Sequence, residues 1–165
     1  FDMYSDLLYT NESNINNNIV LINADLILSS GKQTNLDEVH EKDLTELTVN
    51  NQMIKASVIE LAVLEVLEKV TDESSFVFAS ELFQGLISLR PRKLQSLLER
   101  SPSVKVKRLL LFLAHYYQHP WLKRIDESKV ELGSGNRQIV KGGYVDRKYQ
   151  ITVPLKFKDR ELENG

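Results

Sequence analysis

The chain of 165 residues contains no cysteine, which excludes disulfides and thiolate metal sites and agrees with a reducing, cytoplasmic setting, the location we expect. No apolar run approaches the roughly 20 residues of a membrane span, and no signal-peptide pattern stands at the start. No repeat period recurs. Enzyme signatures are missing too: there is no nucleophile elbow, no Ser/His arrangement and no pair of carboxylates in catalytic context. Those absences favour a binding module over an enzyme and call for no cofactor. The length suffices for one domain that buries about two-thirds of its unfolded surface unaided by metal or crosslink.

What the sequence does contain is a division of charge. The formal net charge is −2, yet residues 1–87 hold 4 Lys/Arg against 15 Asp/Glu and residues 88–160 hold 17 against 6. Such a basic half points either to a polyanion partner such as nucleic acid or to neutralisation by the acidic half across a shared core.

Two helices are predicted between Arg90 and Pro120. In the first, Pro91 suits the opening turn, Leu94, Leu97 and Leu98 mark an inward face, and Arg92, Lys93, Gln95 and Arg100 lie outward. Ser103 caps the second, whose run 109–114 is apolar on every side and is therefore read as the centre of the core. Its first turn carries Lys105, Lys107 and Arg108, against the macrodipole. Cations there make sense beside an anion such as phosphate, because helix N-termini already offer N–H donors; alternatively they only solubilise the end of an apolar helix. The junction has the outline of a helix-turn-helix, and equally of any compact helical hairpin.

Elsewhere, residues 7–9 read as a short strand, the Asn-rich stretch 11–18 as a loop, 19–28 as a buried strand and 29–42 as an exposed excursion. A hairpin follows over 44–55, turning at Asn50-Asn51. The next helix opens on a capping box of Ser57 and Glu60, with Ile59, Ala62, Val63, Val66, Leu67 and Val70 inward and Glu60, Glu65 and Glu68 on a solvated face. Another helix is phased on Phe78, Leu82, Leu86 and Leu89, with Phe83 and Ile87 beside them. Beyond Pro120, three extended runs at 130–132, 139–140 and 149–153 predict an antiparallel hairpin or meander, Pro154 ends the last of them, and 156–165 reads as a frayed charged tail. The fold class is α+β: a small, mostly antiparallel sheet, about four helices and a C-terminal β-hairpin.

Two small constellations stand out. His115 and His119 are four apart, as helical metal ligands are, but Tyr116 replaces the glutamate of the zincin pattern and no third ligand follows; their position near a helix C-terminus suits the dipole instead. The segment LGSGNR, 132–137, is either a β-turn between strands or a small anion nest of backbone N–H groups.

The elements RPRKLQ, SVKVKRL, LGSG and KYQITVP, in that order over roughly residues 57–154, resemble the C-terminal domain of the AbiEi family of bacterial type IV antitoxins and transcriptional regulators. The resemblance implies an N-terminal winged helix that binds inverted repeats at the operon's own promoter and a C-terminal domain that supplies antitoxin activity. It also implies a nucleotidyltransferase-like toxin that is opposed without a stable complex. No winged-helix segment precedes Phe1, so we expect one C-terminal antitoxin domain over 1–165. Phosphate contacts are then expected from Arg92, Lys93, Lys105, Lys107, Arg108, Lys123, Arg124, Arg137 and Lys148. The competing expectation is an interaction or dimerisation module that docks an acidic protein on the same basic face. The oligomeric state is left open.

Overall fold

The computed structural model describes residues 40–49 and 51–158. The expected strands at 7–9 and 19–28, the loop at 11–18 and most of the excursion at 29–42 lie outside the described residues.

A 3-10 turn, Glu41–Asp43, leads into strand β1, Leu44–Val49, which pairs antiparallel with β2, Gln52–Ser57. Asn51 takes φ 62 in the tight turn between them, a left-handed conformation that asparagine tolerates because its short side chain bonds its own backbone. Helix α1, Ile59–Glu68, follows after a single residue, with Leu61, Ala62, Val63, Leu64 and Leu67 all buried.

Its start differs from the expected capping box. Val58 is the N-cap and makes no side-chain cap; Ser57 still belongs to β2 and donates its hydroxyl to the Glu65 carboxylate at 3.1 and 3.2 Å. Of the expected solvated face only Glu68 is exposed, for Glu60 is 0% and Glu65 5% exposed. Arg90, thirty residues on, supplies the reason. Its backbone N–H, Nε and Nη2 reach Glu60 at 2.8, 3.0 and 2.7 Å, and a forked charge-assisted set of this kind outcompetes one amide of a helix terminus.

Helix α2, Glu73–Gln84, does open on a capping box, in which Asp72 accepts from the Ser75 N–H at 2.8 Å and Ser75 Oγ accepts in return from the Asp72 N–H at 3.1 Å. Its inward residues are Phe76, Ala79, Ser80 and Phe83, a phase different from the expected one: Phe78 is 42% exposed, and Ile87, beyond the helix end, is 63% exposed. Leu86 and Leu89 are buried from the loop that follows, whose irregular backbone carries no helical period.

Helix α3, Pro91–Arg100, has proline at its first position and buries Leu94, Leu97 and Leu98, as the spacing predicts. Helix α4, Val104–Tyr116, is capped by Ser103, whose Oγ accepts from the Val106 N–H at 3.4 Å. Residues 109–114 are buried on every side, and α4 is the axis on which α1, α2 and a 3-10 turn at Pro120–Arg124 pack.

The C-terminal part contains β3, Arg137–Gln138, β4, Tyr144–Asp146, and β5, Ile151–Val153, in the order β3-β5-β4. β4 and β5 form the antiparallel hairpin, but β3 runs parallel to β5, so the arrangement is not a meander. The expected run at 130–132 follows a 3-10 turn, Glu127–Lys129, and is not a strand, although Val130 is buried. After Pro154 the chain does not fray at once: Phe157 is 5% exposed and sits 4.8 Å from the Tyr116 ring and 4.9 Å from the Phe76 ring. One buried apolar cluster joins the four helices to these strands, which gives the α+β fold its single described core.

Candidate nucleic-acid interface

The basic residues divide by what they touch. Among those expected to meet phosphate, Lys93 donates to the Lys42 carbonyl at 2.6 Å and pairs with Asp43 at 2.5 Å. Arg100 reaches the same Asp43 carboxylate at 2.7 Å. Asp43 is 1% exposed; burial alone would push its carboxyl up, but hydrogen bonds from Lys93 and Arg100 outweigh burial and hold it below the ordinary value of 3.8. Glu60 follows the same logic, with burial opposed and overcome by Arg90.

The first turn of α4 is engaged even more fully. Lys105 Nζ donates to the carbonyls of Glu68 at 2.6 Å and Val70 at 3.2 Å, where α1 ends. Lys107 donates to the Glu131 carbonyl at 3.1 Å. Arg108, 1% exposed, gives Nε to the Leu132 carbonyl at 2.8 Å and Nη1 to the carbonyls of Gly135 and Gln150 at 2.6 and 3.0 Å. These cations therefore bind carbonyls at segment ends and in loops, which offsets their awkward position on the macrodipole. Burial lowers the pKa of both Lys107 and Arg108, the nearby Arg137 adding to it for Arg108 and Glu131 opposing it for Lys107.

Arg92, Lys123, Arg124 and Arg137 are exposed and have no side-chain acceptor among the described residues. Lys148 lies between these classes, 3.6 Å from Glu127 and 4.8 Å over the Tyr149 ring. Contacts connect the segments that carry them. Gln95, one turn after Arg92 on α3, exchanges hydrogen bonds with the Asp126 backbone, accepting at 2.8 Å and donating at 3.2 Å. Lys123 and Arg124 are in the 3-10 turn just before Asp126. Glu127 then meets Lys148 and the Tyr149 hydroxyl, and the Arg137 N–H donates to the Gln150 carbonyl at 2.8 Å. The result is a basic band from Arg92 through 123–124 to the turn at 147–150 and Arg137, interrupted by Asp126 and Glu127. Lys141 and Arg147 are further exposed cations, in the turns before and after β4.

Sequence reasoning missed Asp43, whose isolated position gave no sign that a lysine and an arginine from α3 would converge on it. It also placed both histidines by the helix dipole. His119 is 3% exposed, its Nε2–H donates to the Phe83 carbonyl at 2.8 Å, and its ring stacks on Trp121 at 5.2 Å. Burial lowers its pKa, with the Phe83 carbonyl working the other way, so the buried imidazole is held neutral and adds no charge to the dipole. Among the described residues no group of three or more His, Cys, Asp or Glu is placed to hold a metal ion, and no helix is long and apolar enough to cross a membrane.

The family follows from a wider comparison. A family model described as transcriptional regulator, AbiEi antitoxin, type IV toxin–antitoxin system matches residues 16–154. The chain belongs to the AbiEi antitoxin family. That span takes in the hairpin, all four helices and the whole basic band. Neither a curated protein nor a solved structure matches the chain.

Proposed function

We propose that this chain is the antitoxin domain of a type IV system, that it opposes a nucleotidyltransferase-like toxin in the cytoplasm without a stable complex, and that it works by binding rather than by chemistry of its own. Family membership over residues 16–154 is the observation that carries this reading. Repression of its own operon is the second part of the role. Base reading falls to a winged helix outside this sequence, while the basic band supplies phosphate contacts that fix the domain against promoter DNA.

Of the cations expected to contact phosphate, Arg92, Lys123, Arg124, Arg137 and Lys148 perform that task, since their charges face solvent. Lys93, Lys105, Lys107 and Arg108 serve it indirectly by holding the segments that present the band. Co-expression of the chain with its toxin tests the antitoxin role: growth is restored and the toxin does not co-purify. Unrelieved toxicity with the chain folded and abundant would overturn it.

A further inference from the structure

Arg108 is buried without a carboxylate. All of its bonded acceptors are carbonyls, of Leu132, Gly135 and Gln150. Arg137, also without a carboxylate partner among the described residues, is near enough to lower the pKa of Arg108, after burial. Two cations thus share one corner, and the Gly133–Asn136 loop lies over it.

The orientation of that loop follows from peptide geometry. The described chain has no cis peptide, and across a trans peptide the C=O and the next N–H point in opposite directions. Since the Leu132 and Gly135 carbonyls turn inward to Arg108, the N–H groups of Gly133 and Asn136 turn away from it. The conformation allows this because Gly133 and Gly135 take φ 62 and φ 77 while Ser134 and Asn136 do not have positive φ. An alternation of that kind gathers successive amides into an anion-binding concavity. The Gly133 amide already holds an anionic oxygen, donating to Glu131 Oε1 at 3.0 Å, whereas the Asn136 amide meets no acceptor among the described residues.

We propose that the loop 133–136 and Arg137 form a phosphate-binding site, with Arg108 as the positioning residue that turns the loop amides outward and Glu131 as a built-in competitor for them. The site deepens the basic-band reading and rests on it, because it fixes where one phosphate group sits. Its ligand is a phosphate oxyanion, from a nucleic-acid backbone or from a small phosphate ester.

The test is a titration of the full chain with inorganic phosphate at constant ionic strength, followed by amide chemical shifts, with chloride as control. Saturable shifts centred on Gly133, Gly135, Asn136 and Arg137 are expected. Glu131→Gln, at an exposed position, tightens phosphate about threefold by removing a competing charge, and Arg137→Gln weakens it by a similar factor. Shifts that match chloride, or that ignore both substitutions, would overturn the site. In a second arm, short duplex DNA that moves the same amides identifies a backbone phosphate, and inorganic phosphate that saturates them while DNA leaves them still identifies a small ester. If neither moves them, yet Arg92, Lys123 and Arg124 govern DNA affinity, the loop site fails while the basic-band function stands.

Discussion

The first turns of α3 and α4 both carry cations against the helix dipole, and one of them, Arg92, has a different fate from the rest. On α4, Lys105, Lys107 and Arg108 bend back onto carbonyls at the end of α1 and in the segment 131–150. On α3, Lys93 is drawn to Asp43 but Arg92, its neighbour, has no acceptor among the described residues. A cation near a helix start is structural where a carbonyl or carboxylate lies within reach and available for a ligand where none does. Four cations of the basic half are paired with the acidic half, through Arg90–Glu60, Lys93–Asp43, Arg100–Asp43 and Lys105–Glu68.

The comparison is broken most forcefully at Arg108. Arg108→Met removes a buried side chain's bonds to the Leu132 and Gly135 carbonyls and one of two donors to the Gln150 carbonyl, and we expect a destabilisation of about 3 kcal/mol in urea unfolding. Stability within about 0.5 kcal/mol of the parent would show that α4 cations are not structural.

Asp43→Asn comes next, at about 2 kcal/mol, because Lys93 and Arg100 keep part of their exposure to solvent and suffer less than fully buried partners would. Its pH signature is separable. The Asp43 carboxyl is held below 3.8 in the fold, so its contribution is full above that value and is lost as pH falls through the lower folded pKa. The acid limb of stability should therefore flatten in the variant, and an unchanged limb would assign it to other carboxylates such as Glu60.

A smaller effect is expected from His119. Its pKa is lowered from 6.5, so the unfolded chain takes up a proton before the folded one does; stability is full above 6.5 and declines as pH falls below it. Denaturant midpoints taken from about pH 7.5 to about pH 5.5 check this, and His119→Gln should remove much of the slope.

How much of the fold and of the band is legible in the sequence depends on whether a residue's partner is local. The inward face Leu94, Leu97 and Leu98, the Ser103 cap, the all-apolar run 109–114 and the Asn51 turn are set by neighbours within a helical turn or a hairpin, and spacing alone reveals them. The Ser57 capping box fails because Arg90, distant in sequence, claims Glu60. β3 is unreadable as a parallel strand because two residues carry no period. For the basic band, the sequence tells which residues are charged but not which charges are already answered. That distinction lies in Asp43, in the carbonyls of 131–135 and in the end of α1, none of which adjoins the cations it holds.

The central claim, that unanswered cations meet phosphate while answered ones hold the fold, is tested most directly by the salt dependence of promoter-DNA affinity. Arg92→Gln, Lys123→Gln and Arg124→Gln together should leave stability within about 0.5 kcal/mol of the parent. They should also reduce the slope of log affinity against log salt by about 0.9 for each phosphate no longer neutralised, roughly 2 to 3 in all. A slope that stays at the parent value in the folded triple variant would contradict the account.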